Sequence, residues 1–312
     1  MDLYKVSVCI PVYNTEKYLK RCLQSLTCCG LEENEFEIII VDDGSKGNCK
    51  EIVEWFRKKY PHIVCKYCKH DRNLGIFETR KTGVELAKGQ YIYILDSDDY
   101  LEPNSISELV DLSNDGTFDI VQGGFNEIGL EKGRIKSIPV KTGMYKEPVS
   151  LLEKFMCKQV VSGYIWGKLI RREIYKKVFD ILPDIYLNFM EDFLQMFFIT
   201  ANSKSCVSTS EPFYNYDRSS ESTTNHVKFK TAEDYKSLFS YVEIRNILNP
   251  NTIKNKKVLD VFSITDVNIL SRIYNRCLEV NDKNELPKVM EAYKNTFGET
   301  VYNKIKTLNE SK

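Results

Sequence analysis

YIYILDSDDYLEP, residues 91–103, is the stretch on which the fold turns. Tyr91 to Leu95 is a short aromatic and β-branched run, the mark of a buried strand. It breaks at Asp96-Ser97-Asp98-Asp99, and Pro103 then starts a helix through Leu112. Upstream, Phe77 to Lys88 has helical spacing, and Gly89 is placed to close that helix as its C′ residue. The alternation runs back to the N-terminus. Val6 to Val12 is an apolar strand ended by Tyr13-Asn14. Thr15 is placed to cap a helix with Tyr18, Leu19, Cys22, Leu23 and Leu26 on one face. Phe36 to Val41 is a strand broken by Asp42-Asp43-Gly44-Ser45. Cys49 to Tyr60 has helical spacing and stops at Pro61, and Ile63 to Tyr67 reads as another strand. Downstream, Phe118 to Gln122 is a fifth strand. Strands alternating with helices of this length predict βαβ units and a mainly parallel α/β sheet flanked by helices. Ligands of such sheets bind beyond the carboxyl ends of the strands. Tyr13-Asn14, Asp42 to Ser45 and Asp96 to Asp99 all fall there, which puts acidic groups on one rim.

Beyond Gly123 the order changes. Gly129 to Gly143 is polar and holds glycines, a hairpin or an irregular excursion. Val149 to Cys157 looks helical, Ile165 to Ile170 extended and Arg171 to Phe179 helical. Met190 to Ala201 is a helix with Met190, Phe193, Leu194 and Phe197 on one side, and Ser205 to Ser208 and Pro212 to Tyr216 read as short strands. From Lys230 the pattern is helical, with a break at Asn249-Pro250-Asn251. The expected division is 1–225, made of halves 1–122 and 123–225, followed by a helical C-terminal extension, 226–312.

Composition excludes some partners. Of 312 residues, 42% are hydrophobic and 28% charged, and Lys+Arg equals Asp+Glu at 44 each. A nucleic-acid footprint normally shows as a basic domain, so that partner is not expected. No run approaches the ~18 apolar residues of a membrane span. Met1 to Asn14 reads as a core strand rather than a signal peptide. These features predict a soluble protein, at most peripheral to a membrane. There are ten cysteines, with Cys65 and Cys68 as one C-x-x-C near His62 and His70. A zinc site would want a second pair. Reduced thiols in the cytoplasm are the plainer reading.

Three carboxylates in four residues repel one another. Such a cluster at a rigid strand end suits a hard divalent cation, Mg²⁺ or Mn²⁺, which takes one or two carboxylates plus phosphate oxygens. A solvated turn remains the alternative, because Asp and Ser favour turns. The chain lacks a phosphate-cradling P-loop, and no G-x-G-x-x-G follows the first strand, which speaks against an NAD enzyme.

Taken together, VSVCIPVYN, IIIVDDGS and NLGIFETRKTGVELAKGQYIYILDSDDYLEP resemble glycosyltransferase family 2. SGYIWGKLIRREIY, NFMEDF and EPFYNYDRSSES extend the match to roughly residues 5–225. The resemblance implies the Rossmann-like GT-A fold and an inverting transferase that uses a nucleotide-sugar, usually a UDP-sugar. It implies that Pro11, Val12 and Tyr13 wall the nucleobase, that Asp43 reads the base, and that Asn73, Gly75 and Arg80 line the nucleotide and diphosphate. Asp96-Ser97-Asp98 is similar to the family's D-x-D signature, with Asp98 the main metal ligand, Asp96 on the ribose or sugar, and Asp99 in support. Glu191-Asp192 resembles the catalytic pair in which the aspartate is the base, although acidic residues in a helix's first turn also serve its dipole. Trp166 and Lys168 fall in a segment that shapes the acceptor or sugar pocket in relatives, or simply packs. Tyr214, Tyr216, Arg218 and Ser222 match a mobile loop over the diphosphate, and an arginine suits phosphate. His226 is a metal candidate or a surface histidine.

The implied acceptor is a saccharide or lipid-linked saccharide, in bacterial surface-polysaccharide, capsule or lipopolysaccharide assembly on the cytoplasmic side of the membrane. Lys254, Lys256 and Lys257 precede apolar Val258, Leu259, Val261, Phe262, Ile264 and Val267, a pattern that suits packing or a basic amphipathic surface meeting a membrane. A homodimer stays open. Two other classes compete: a nucleotidyltransferase, which would want a glycine-rich basic loop where Tyr13 to Glu16 stands, and a non-catalytic sugar-nucleotide-binding protein.

Overall fold

The long apolar runs become strands buried on both faces. The structure, a computed structural model, describes residues 3–130, 134–147, 150–156, 160–182 and 191–218, with isolated positions from 244 onward. β1 (Tyr4–Val12) is buried throughout Val6–Val12, and β2 (Phe36–Asp42) along its whole length. Strands so apolar and so buried belong in a parallel sheet covered by helices on both sides. The covering helices are α1 (Glu16–Ser25), α2 (Cys49–Lys59) and α3 (Ile76–Leu86). Right-handed crossovers set α1 and α2, which pack together, on one face and α3 on the other. β3 (Val64–Lys69) is an edge strand and correspondingly half-exposed.

β4 (Gly89–Ile94) returns beside β1, and the four strands β3-β2-β1-β4 are all parallel. Past β4 the sheet becomes mixed. The next elements are β5 (Tyr100–Leu101), α4 (Ser105–Leu112), β6 (Ile120–Leu130), β7 (Arg134–Ile138), β8 (Gly143–Lys146) and α5 (Leu151–Met156). They are followed by β9 (Lys168–Arg171), α6 (Arg172–Ile181), α7 (Glu191–Asn202) and β10 (Ser205–Asp217). Among the described residues the order continues β9-β6-β10-β5, with β7 on β6 and β8 on β10. β9 runs antiparallel to both β4 and β6, while β6 and β10 pair in parallel.

Two local expectations are corrected, and a third, left between a hairpin and an irregular excursion, is decided. Gly89 is not a helix C′ residue but the first residue of β4; its N–H donates to Ser7 Oγ at 2.8 Å, and a Cβ there would lie 2.5 Å from Ser7 N. Close backbone approach, not a left-handed turn, is what wants glycine. The two short strands at 205–208 and 212–216 are one strand, β10, with register shifts on both sides of Pro212. Proline has no N–H for the ladder, so the strand slips rather than ends. The polar excursion after Gly129 is a hairpin arm, β7 on β6.

The chain divides into two compact units, Met1–Tyr186 with Gln195–Ser222, and Leu187–Leu194 with Thr223–Lys312. All of the described strands lie in the first. The second holds the first turn of α7 and buried Ile244, whose carbonyl accepts the Leu248 N–H at 2.8 Å. The expected boundary at 225 and most of the extension 226–312, with the 254–267 stretch, lie outside the described residues. Among the described residues no helix is long and apolar enough to cross a membrane.

Candidate active site

The β1–β2 register, Val6↔Phe36 through Val12↔Asp42, brings the two strands to the same rim. Their exit loops are laced together. Asn14, in the left-handed region at φ 54, donates its N–H to Ser45 Oγ at 3.0 Å and accepts the Lys46 N–H on Oδ1 at 3.0 Å. Pro11 and Val12 are buried, whereas Tyr13 is 46% exposed and offers its ring at the strand end.

Asp43 is buried and binds the next loop. Its carboxylate accepts the N–H groups of Leu74 at 2.8 Å and Gly75 at 2.9 Å, and meets His70 Nδ1 at 2.8 Å. The other ring nitrogen of His70 meets Thr82 Oγ1 at 3.0 Å. Gly44 makes the approach feasible, since at φ +74 a Cβ would sit 2.8 Å from the Arg72 carbonyl carbon. Asp43 therefore anchors the loop that carries exposed Asn73 and the start of α3. His70, which the sequence showed only as a flank of the C-x-x-C, belongs to this anchor. The eight described cysteines are free.

Asp42, behind this loop, accepts the Ser45 N–H at 2.8 Å and the Tyr67 hydroxyl at 2.6 Å, with Lys69 Nζ at 3.4 Å. Burial opposes its ionisation, but the bonds from Ser45 and Tyr67 and the charge of Lys69 outweigh it and hold the carboxyl below its usual range. A depressed acid stabilises the fold above its unfolded pKa of ~3.9 and loses that contribution as pH falls through the lower folded value. Tyr67→Phe should therefore lower the unfolding free energy measured in urea at pH 7 by ~1–2 kcal/mol, for a hydrogen bond to a charged group at a half-exposed ring. The gap to wild type should narrow below pH ~4. A gap that is constant with pH would mean that the hydroxyl is not bonded to an ionised Asp42.

The acidic loop leaves β4 level with the end of β1, Leu95 N–H donating to Cys9 C=O at 3.1 Å. It is held from three sides. Thr15 holds the N-cap position of α1 but its side chain makes no capping bond; its Oγ1 meets Ser97 Oγ at 2.7 Å instead. Arg80, buried on α3, reaches Asp96 Oδ1 at 3.5 Å. From β10, Tyr214 accepts the Asp96 N–H at 3.2 Å and donates to Asp99 Oδ2 at 2.6 Å.

The three carboxylates are not equivalent. Asp99 is fully buried, and its second oxygen accepts the Asp217 N–H at 2.8 Å. Burial, with Asp96 and Asp98 adding repulsion, pushes its carboxyl well above the usual range. Both Asp99 oxygens are bonded to β10, away from solvent. Asp96, with its side chain 25% exposed, and Asp98 are the partly exposed members. Among the described residues no three acidic, cysteine or histidine groups converge as a closed metal cage. Two hard oxygen donors with open positions fit Mg²⁺ or Mn²⁺ held jointly with phosphate.

Other expected residues are placed as follows. Arg218 follows β10 and reaches Glu127 Oε1 at 3.5 Å. Trp166 is buried, stacked between Tyr164 and Tyr214 with centroids at 4.6 and 4.4 Å, and near-parallel to Tyr216. Lys168 is buried and turned onto its own loop, donating to Ser162 Oγ at 2.8 Å and to the Tyr164 carbonyl. Glu191 and Asp192 form the first turn of α7, in the second unit. Ser222 and His226 lie outside the described residues. A cavity of about 520 Å³ opens between α2 and β3, against Lys50, Arg57 and Tyr67; no acidic-loop residue lines it.

A sheet whose first four strands are parallel, with an aromatic ring, an anchored polar loop and an acidic loop on neighbouring strand ends, marks a class: α/β enzymes that hold a nucleotide and its phosphates at one rim. The chain belongs to glycosyltransferase family 2, whose profile matches residues 7–179. It is a glycosyltransferase, which sets aside the nucleotidyltransferase and non-catalytic readings. It is 29% identical to the putative glycosyltransferase EpsH of Bacillus subtilis over 275 residues, 85% of this chain and 75% of EpsH. Its fold matches that of Staphylococcus aureus TarS 1–349 in complex with UDP-GlcNAc, with a TM-score of 0.65 at 21% identity over 94% of this chain and 80% of that one. It also matches the mannosyltransferase PcManGT of Pyrobaculum calidifontis in complex with GDP-Man and Mn²⁺, with a TM-score of 0.57 at 13% identity over 98% and 86%. The GT-A expectation is borne out.

Proposed function

We propose that the enzyme transfers a sugar from a UDP-sugar to a hydroxyl of a saccharide or lipid-linked saccharide, with inversion at the anomeric carbon. The observation that carries this reading is the convergence of three neighbouring strand ends: Tyr13 after β1, the Asp43-anchored loop after β2, and Asp96 with Asp98 after β4. Tyr13 and the loop bearing Asn73 receive the nucleobase. Arg80 steadies Asp96, which faces the ribose or sugar. Asp98 and Asp96 hold Mn²⁺ or Mg²⁺, which when bound offsets the charge that builds on a departing diphosphate. Arg218 adds its guanidinium fork to the phosphates.

Asp192 takes the proton from the acceptor hydroxyl as that oxygen attacks the anomeric carbon. The bond to the diphosphate breaks on the opposite face, and its electron pair leaves with the nucleotide. One base and no enzyme nucleophile make this a single displacement, so an α-linked donor yields a β-linked product. The UDP-GlcNAc complex of TarS and the GDP-Man and Mn²⁺ complex of PcManGT support a sugar-nucleotide and a divalent ion. We place the reaction on the cytoplasmic side of a bacterial membrane, in surface-polysaccharide assembly, with domain limits 1–225 and 226–312.

A donor panel tests the reading. UDP-, GDP-, dTDP- and CMP-sugars are screened by thermal shift in Mn²⁺, Mg²⁺ or EDTA. A ligand that binds only the folded state raises its melting point by mass action. UDP-sugars should stabilise in either metal and much less in EDTA. Stabilisation by another nucleotide class would reassign the donor, and no response at all would remove the reading.

A further inference from the structure

Arg21, on α1, is absent from every motif discussed above, yet it touches both halves of the rim. Its Nη2 donates to the backbone carbonyl of Asp98 at 2.6 Å. Its Nη1 lies 2.6 Å from Asp217 Oδ2, a carboxylate only 3% exposed. The guanidinium plane sits 4.4 Å over the ring of Tyr100. Asp217 in turn gives its N–H to Asp99 Oδ1 at 2.8 Å. The result is a closed circuit, Asp98 to Arg21 to Asp217 to Asp99, joining the acidic loop to the last residue of β10. The next residue is Arg218.

We propose that Arg21 is a positioning residue that couples the cation-holding loop to the diphosphate-facing end of β10. The inference rests on the reading of Asp96 and Asp98 given above. One planar fork spans two acceptors at once; the single nitrogen of a lysine does not reproduce that geometry. Fixing the Asp98 carbonyl from behind sets the direction in which its side chain leaves the loop. Fixing Asp217 sets the point at which Arg218 begins. Arg21 touches neither nucleotide nor metal in this arrangement; it acts through Asp98 and Asp217.

The test is calorimetric titration of UDP and GDP, in Mn²⁺ and in EDTA, into wild type, Arg21→Lys and the double variant Arg21→Met/Asp217→Asn. The double variant removes both charges together, so no buried carboxylate is left unpaired. Circular dichroism and the thermal midpoint report folding, and where one variant is unfolded the other decides. Groups that orient metal-binding residues typically contribute ~10–100-fold to metal affinity or activity, so the variants should lose about tenfold or more of the Mn²⁺-dependent gain in nucleotide affinity while keeping the EDTA affinity within about twofold. A role in stability alone would lower the thermal midpoint and leave that gain unchanged, which overturns the inference. A wild type with no Mn²⁺-dependent gain overturns the reading of the rim, and this inference with it.

Discussion

Asp192→Asn is expected to cut turnover by roughly 10²–10⁴-fold, the usual contribution of a positioned base, while donor affinity stays nearly intact. Two roles compete for this residue, and their magnitudes separate them. Asp192 stands with Glu191 in the first turn of α7. A carboxylate there stabilises the helix dipole by only ~0.3–1 kcal/mol. Loss of that interaction would lower the melting point by a small amount and leave kcat alone. Loss of the base removes the proton acceptor for the attacking hydroxyl, so kcat falls whatever the small change in melting point. Glu191→Gln alters the same dipole and serves as the stability comparison; its turnover reports what Glu191 itself adds to the pair. Normal turnover by Asp192→Asn, or loss of donor binding, would reassign the residue.

Asp98→Ala should abolish the cation-dependent part of donor binding and reduce turnover by about 10²-fold or more, the scale on which removal of one transition-state charge partner is felt. A solvated turn predicts otherwise, because surface substitutions usually stay within ~0.5 kcal/mol and would leave catalysis untouched. The stability readout sharpens the contrast. Asp98 is one of the charges that raise the buried Asp99 carboxyl, after burial itself and Asp96. An acid whose folded pKa lies above its unfolded one costs stability at neutral pH, where the unfolded form is ionised. Removing Asp98 relieves part of that cost. The variant should therefore melt no lower than wild type in EDTA, yet gain nothing from Mn²⁺ with nucleotide. A sharp fall of the EDTA melting point would mean that Asp98 is a structural residue.

The parts legible in the sequence were those written in contiguous residues. β1, β2 and β4 are built on apolar stretches, Val8–Val12, Ile38–Val41 and Tyr91–Ile94, and a strand buried on both faces leaves that trace whatever lies beside it. The polar clusters at their ends mark the rim for the same reason. What escaped depends on partners far along the chain. Asp98 and Asp99 are indistinguishable by position, but Asp99 is bonded by Tyr214 and Asp217, more than a hundred residues later. Thr15 has the residue type and place of a helix cap, and a hydroxyl from another loop, Ser97, took its hydrogen bond. Gly89 follows a helix as a C′ glycine would, and only the β1 backbone beside it reveals the real constraint. His70 and Arg21 carried no local signal, since their roles exist only once Asp43 and Asp217 are in place.

The most direct test is transfer itself: proton NMR of the product formed from an α-linked UDP-sugar and a saccharide acceptor, with UDP release followed in Mn²⁺ and in EDTA. A β-linked product is expected, with UDP release that needs both the acceptor and the divalent ion. An α-linked product, or release at the same rate in EDTA, would contradict the proposed reaction.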